Sequence, residues 1–314
     1  MWKQVLACIE EYNKIIIHRH SRPDGDAYGS QIGLKNIILE NYPQKTVYVV
    51  GDSNNYFSFM PNSQMDEIED CEYEGALAIL LDSAAAHLIS DDRYTKAAKT
   101  VRIDHHIYCE TFTDVEVVDT GFESCCGMIT DFAVQSGLRL NKAAASALYT
   151  GMITDSGRFR YDGTNARTHR LAAALMDTGF DTNEIFRPLY SDDFSNKLLK
   201  AQFTLKIKFT PNNVAYIYTT REEMAQLKSS EFSISRGMVA TMADIKGVDI
   251  WVNFTEAESG VLCELRSSRY NINPVAVKYG GGGHQKASGA TVPDKETAMQ
   301  MLNDLDLLQG EANE

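Results

Sequence analysis

The chain has 314 residues, 44% of them hydrophobic, which is enough for two ordinary domains with apolar cores. Its formal charge of −13 argues against long nucleic acid as a partner, because a protein that grips a polyanion presents a basic surface. No apolar run approaches the ~20 residues of a membrane span, and Met1 opens into Trp2-Lys3-Gln4, so we expect no membrane association and a cytoplasmic location.

Up to about residue 190, apolar runs alternate with amphipathic stretches. Residues 14–18, 46–50, 76–81 and 100–103 are rich in Ile, Val and Leu and read as short buried strands. The segments 28–40, 91–99, 124–135, 142–154 and 167–177 read as helices. This order predicts an α/β fold, a mainly parallel sheet covered by helices. A linker, helical and not rich in Pro or Gly, is expected at 191–203. From 204 on, period-two alternation at 204–209, 214–219, 249–255 and 261–267 predicts a smaller α+β domain over 204–314. The cysteines at 8, 71, 109, 125, 126 and 263 show no zinc-ribbon spacing and read as free thiols.

Chemistry-bearing residues concentrate where strands end. The first strand runs into His20-Ser21-Arg22-Pro23-Asp24-Gly25-Asp26, in the crevice where open parallel sheets bind ligands. For this segment alone, a polar loop with a helix N-cap is an equally good reading. Residues 76–81 then lead directly into Asp82, and residues 100–103 into Asp104-His105-His106. Asp155 follows the helix expected at 142–154, where a carboxylate opposes the helix dipole and has no easy structural excuse. Converging carboxylates repel one another, and divalent cations would relieve that repulsion. Oxygen-rich ligation with some imidazole suits manganese, magnesium or cobalt, and the ligand surplus suits two ions bridged by a carboxylate such as Asp82. Paired ions activate water and clamp both oxygens of an in-line displacement, so phosphoester hydrolysis is the expected chemistry. Asp104 is expected to orient His105 or a neighbour through a carboxylate-to-imidazole hydrogen bond. His18 reads as packed, and His87 and His169 as surface histidines.

In the second half, Gly280-Gly281-Gly282-Gly283-His284 offers bare backbone amides and an imidazole, and Arg266-Ser267-Ser268-Arg269 offers guanidinium and hydroxyl donors. Together they read as a nucleotide-recognition surface.

These residues resemble the DHH phosphoesterases with a DHH-associated C-terminal domain, through His20-x-x-Pro-Asp24-Gly-Asp26-x-x-Gly-Ser, Asp82, Asp104-His105-His106, Asp155-Ser-Gly-Arg158-Phe and Gly280–His284. Within that family the chain is similar to the bacterial nano-RNase and 3′-phosphoadenosine-5′-phosphate (pAp) phosphatase group. The resemblance implies a catalytic domain over 1–190 and two divalent cations, most simply manganese. One ion would be held by His20, Asp24 and Asp82, the other by Asp26, Asp82, His105 and Asp155. It places His106 at the scissile phosphate with Asp104 and Arg158 nearby, and gives Arg266, Ser267, Gly282, Gly283 and His284 to the nucleotide's other end. Very short oligonucleotides or pAp are the implied substrates, and a homodimer is left open. Two departures stand out: 83–89 lacks the arginine many relatives carry, and Cys126-Gly127 replaces a Ser-Glu pair. Pyrophosphate, polyphosphate and cyclic dinucleotides are rival substrates, and a nucleotide sensor without catalysis is a rival class.

Overall fold

The computed structural model describes residues 1–53, 55–227 and 229–311. The chain forms two compact units, Met1–Ser191 and Asp192–Glu314.

The first unit contains α1 (Lys3–Glu11), β1 (Lys14–Arg19), α2 (Gly25–Asn41), β2 (Thr46–Val49), β3 (Leu77–Leu81), β4 (Lys99–Asp104), β5 (Val115–Val118), α3 (Cys125–Gln135), α4 (Lys142–Asp155), α5 (Ala166–Met176) and α6 (Asn183–Tyr190). The strands form one sheet in the order β2-β1-β3-β4-β5, parallel at every pairing. Its apolar runs are continuous because both faces are covered. Ile15, Ile17, Ile79 and Ile103 join the helices in one large core, while Ile16, Ala78 and Leu80 lie under Tyr73 and Tyr94 on the other side.

The segment 91–99, read as a helix, is a 3-10 turn at Asp92–Lys96 followed by β4 from Lys99. Asp91 caps that turn through the Arg93 amide and binds the Arg93 side chain, while Tyr94 is buried against the sheet, which leaves no room for further helical turns. Strand β5 and helix α1 were not anticipated.

Helix α2 is buried on nearly all sides and lies close to α4. Glycines at four-residue spacing permit this. A Cβ on Gly29 would stand 2.5 Å from the Ala147 carbonyl oxygen, and one on Gly33 would stand 2.5 Å from Leu148 Cγ. At the helix start, a Cβ on Gly25 would meet Thr154 Oγ1 at 2.3 Å. The pairs Gly25/Thr154 and Gly33/Leu148 show the helices running antiparallel, so the first turn of α2 lies beside the last turn of α4.

The second unit comprises α7 (Phe194–Leu205), β6 (Lys208–Phe209), β7 (Ala215–Thr219), α8 (Arg221–Gln226), α9 (Glu231–Met238), β8 (Ile250–Ala257), β9 (Gly260–Ser267), α10 (Asn273–Lys278), β10 (Gly282–His284), β11 (Ala287–Val292) and α11 (Lys295–Glu311). Its sheet is mixed, ordered β10-β11-β9-β8-β7-β6, with only β7 and β8 parallel. The stretch 191–203, expected as a linker, falls mostly in α7, whose Phe203 is buried with Ala215 and Ile217 in this unit's own core. That helix also overrides the strand expected at 204–209, which shrinks to Lys208–Phe209. Among the described residues, no helix is long and apolar enough to cross a membrane.

Candidate metal centre and nucleotide site

Strand order determines which side chains meet. The order of strand addition switches sides at β1, with β2 on one side and β3 on the other, so a crevice opens beyond the carboxyl ends of β1 and β3. His20 follows β1 and Asp82 follows β3, and His20 Nε2 lies 3.5 Å from Asp82 Oδ2. The neighbouring strand β4 delivers His105, whose Nε2 is 3.4 Å from Asp82 Oδ1, and His106, whose Nδ1 is 3.5 Å from the same oxygen. The close packing of α2 on α4 supplies the last two acids. His105 Nε2 stands 3.7 Å from Asp26 Oδ2 and 3.4 Å from Asp155 Oδ2.

Among the described residues, three groups of side chains could hold a metal ion: His20, Asp24 and Asp82; Asp26, His105 and Asp155; and Asp82, His105 and His106. Asp82 is common to two of them. It is 2% exposed, and its Oδ1 has no hydrogen-bond partner, a costly condition for a buried anion. Its backbone is held at φ +52°, uncommon for a residue with a side chain. An orphaned carboxylate oxygen facing imidazoles and further carboxylates is the donor set that a hard divalent cation requires.

The electrostatics agree. Burial and the charges of Asp82 and Asp155 push Asp26 well above the usual carboxylate range, and burial lifts Asp155 to about 7. Burial works against charge on the imidazoles, yet Asp82 raises His20 to about 9 and His105 to about 10. Asp82 itself lies below the usual range because the surrounding imidazoles outweigh its burial. Without a cation, the site thus compensates its carboxylates with protons.

Asp24 accepts the amides of Asp26 and Ala27 through Oδ1, both at 3.0 Å, so it is the N-cap of α2 as well as a member of the cluster. Asp26 stands in the first turn of α2, and its carboxylate accepts the Cys125 and Cys126 amides at 2.6 and 2.8 Å. The amino end of α3 thereby anchors the Asp26 side chain. Glycine at 127 has a local reason: a Cβ there would meet Glu123 Oε1 at 2.3 Å, since this buried carboxylate fills the space and accepts Thr168 Oγ1 at 2.8 Å.

Asp104 contacts His106, not His105, with Oδ1 2.8 Å from His106 Nδ1. Its other oxygen accepts Arg102 Nη2 at 3.1 Å, and both of those side chains are fully buried. Arg102 escaped the sequence reading, although an arginine inside an apolar strand just before Asp-His-His was a visible signal. Arg158 is exposed three residues after Asp155. Of the other histidines, His18 is buried between Tyr73 and Tyr94, and His87 and His169 are exposed.

In the second unit the glycine run is not a free loop. Gly282–His284 forms the edge strand β10, paired with Ala287–Gly289 of β11. Register sets Arg266 opposite Ala287 and Ala287 opposite His284, so guanidinium and imidazole share one face with a small residue between them. Arg266 Nη2 is held 3.2 Å from Glu264 Oε2. Gly282 has open space where a side chain would be, whereas Gly283 is fitted against the Ala287 carbonyl oxygen. Ser267 is 6% exposed and its Oγ accepts the Arg269 and Tyr270 amides, so it closes the turn after β9 while its O–H remains a donor.

Known proteins resemble the chain over nearly its whole length. The family model described as "DHH family, N-terminal domain" matches residues 14–152, and the "DHHA1 domain" matches residues 216–310. The chain is 34% identical over 311 residues to the bifunctional oligoribonuclease and PAP phosphatase NrnA of Bacillus subtilis, covering 98% of each. It is 37% identical over 308 residues to a probable protein of that name from Streptococcus mutans, covering 97% of this chain and 98% of the relative. The crystal structure of an exopolyphosphatase-related protein from Bacteroides fragilis superposes with a TM-score of 0.88 at 26% identity, over 99% of this chain and 97% of the other.

Proposed function

We propose, from the premise that this chain belongs to the DHH family of phosphoesterases and carries its DHHA1 domain, that it hydrolyses oligonucleotides of two to five residues to mononucleotides and dephosphorylates pAp. One observation carries the reading. Side chains from three neighbouring strand ends and two helix ends form overlapping groups, two of which share the buried Asp82, whose Oδ1 makes no hydrogen bond among the described residues. The names of two full-length relatives, which join oligoribonuclease to PAP phosphatase, support the substrate class.

In this reading His20, Asp24 and Asp82 hold one divalent cation, and Asp26, Asp82, His105 and Asp155 hold a second, with manganese the expected metal. Bound there, the ions would polarise the phosphoryl oxygens and lower the pKa of water. The remaining work belongs to the chain. Asp104 fixes the His106 ring through Nδ1 and favours its charged form, so Nε2 is left to stabilise charge developing on the phosphate. Arg158 contributes a second cation there. In the DHHA1 domain, Arg266 and His284 bind a phosphate or sugar of a nucleotide from one sheet face. Since the chain carries −13 overall, each added nucleotide brings charge with little basic surface to receive it.

Product profiles with manganese test this. Efficiency should be greatest for pAp or 5′-pApA and fall through three to five nucleotides, with negligible cleavage of a 24-mer, cyclic di-AMP or pyrophosphate. Comparable efficiency on the 24-mer at physiological salt would overturn the proposal.

A further inference from the structure

Beside the candidate metal groups, the first unit presents an exposed, rigidly backed aromatic surface that neither the ligand set nor His106 accounts for. After Asp155 the backbone passes through three consecutive left-handed residues, Gly157 at φ +57°, Arg158 at +62° and Phe159 at +63°. Two of these carry side chains, so the turn stores strain, and such outliers point to function when the surroundings hold them in place. The surroundings do hold it. The Arg158 amide donates to Ile153 O at 2.7 Å, Ser156 Oγ accepts the Phe159 amide at 2.9 Å, and the Phe159 ring lies between Tyr149 and His169.

The turn folds Tyr161 over Gly157 so closely that a Cβ at 157 would stand 2.4 Å from Tyr161 Cζ. It also sets the Arg158 guanidinium over the Tyr190 ring, 4.9 Å from its centroid. Tyr190 is backed in turn by Phe186, with centroids 5.8 Å apart and planes inclined 31°, and Phe186 packs on Tyr149 of the core. Yet Tyr161 is 62% and Tyr190 42% exposed. A single exposed tyrosine needs no explanation. A layered stack that runs from the core through Phe186 and Tyr190 to an exposed guanidinium, three residues from Asp155, with the exposed Tyr161 ring on the same turn, is a different matter.

We propose that Tyr161, Tyr190 and the flat face of Arg158 form a nucleobase-stacking platform, which receives the base of the nucleoside attached to the phosphate at the metal groups. Every base has a π-face, so stacking on aromatic rings and guanidinium planes binds nucleosides with little regard to sequence. The edge of Arg158 remains available to phosphate oxygens while its face stacks. This inference rests on the nucleotide-hydrolysing reading above and deepens it, because pyrophosphate and polyphosphate have nothing to place on such a surface.

The test compares adenosine 3′,5′-bisphosphate with its base-free counterpart, 1-methoxyribose 3,5-bisphosphate, in the full-length manganese-loaded protein. Stacking strengths imply that Tyr161→Ala or Tyr190→Ala lowers the ratio of kcat/KM for the base-bearing over the base-free substrate by about tenfold or more. Tyr161→Phe and Tyr190→Phe, which keep the ring, retain the ratio. An unchanged ratio in both alanine variants overturns the platform and leaves the hydrolytic reading intact. Calorimetric binding of AMP against ribose 5-phosphate separates the two ideas further. If the wild type turns over neither bisphosphate, the hydrolytic reading fails. The platform still stands if AMP binds more tightly than ribose 5-phosphate and the alanine variants lose the difference, and it falls if the wild type binds both alike.

Discussion

Asp104 divides its two oxygens between His106 Nδ1, at 2.8 Å, and the fully buried Arg102 Nη2, at 3.1 Å. The carboxylate orients the imidazole, and the arginine compensates a carboxylate that burial removes from solvent. Because Asp104 acts through His106, Asp104→Asn should lower kcat at least tenfold while leaving the metal content unchanged, and His106→Ala should lower it roughly 10²–10⁴-fold. Metal analysis beside steady-state kinetics decides the matter: loss of an ion with either substitution would move that residue among the ligands.

Arg102→Met tests the other end of the same chain. It leaves Asp104 buried with one partner fewer, and breaking a buried ion pair typically costs about 3–5 kcal/mol. Denaturant unfolding of the metal-free protein should show a loss of that order, and a change below about 1 kcal/mol would mean that the pair is dispensable to the fold.

Asp82→Asn should abolish turnover and reduce the binding of both ions, because Asp82 belongs to two of the three candidate groups. Manganese should also raise the wild-type melting temperature in a concentration-dependent way, an effect the variant loses. Near-normal activity of Asp82→Asn at saturating manganese is the contrary outcome.

Gly29→Ala places a methyl group against the Ala147 carbonyl oxygen, where a Cβ has only 2.5 Å. Alanine is the better helix former by about 1 kcal/mol, but overpacking against backbone costs about 1–3 kcal/mol, so the substitution should destabilise on balance. Activity should fall as well, since the α2–α4 contact brings Asp26 near Asp155. A stabilised, fully active variant would contradict that account of the packing.

His18 gives a pH prediction away from the cluster. Burial pushes its pKa down to about 4, against the opposing pull of Asp91, while in the unfolded chain it titrates near 6.5. Between those values the unfolded state binds the proton that the native state refuses, so this stabilising term is complete above 6.5 and is lost as pH falls toward 4. The full term is at most roughly 3 kcal/mol, at 1.36 kcal/mol per unit. His18→Phe, which preserves an aromatic ring between Tyr73 and Tyr94, should have a shallower acid slope of unfolding free energy than the wild type. Parallel slopes between pH 6.5 and 4 would remove His18 from the account.

Much of this was legible in the linear chain because its chemistry is punctuated locally. Asp82, Asp104 and His105 stand immediately after runs of Ile, Leu and Val, and a buried parallel strand announces itself by just such a run. Strand type and the position of each polar residue at a strand end therefore follow from short-range order. The segment 91–99 was misjudged, and the strand pairing of the glycine run was not visible, for the converse reason. Short polar stretches and glycines have weak preferences of their own, and the buried Tyr94 and the pairing with Ala287–Gly289 chose their form. What no local pattern contains is the meeting of distant groups: the Cys125 and Cys126 amides on the Asp26 carboxylate, Arg102 behind Asp104, Arg266 in register with Ala287 and His284, and the Tyr190 ring under Arg158. These are properties of strand order and of how closely α2 can approach α4. They are decided only in the folded chain, because burial and close packing select one arrangement of elements whose individual preferences are compatible with several.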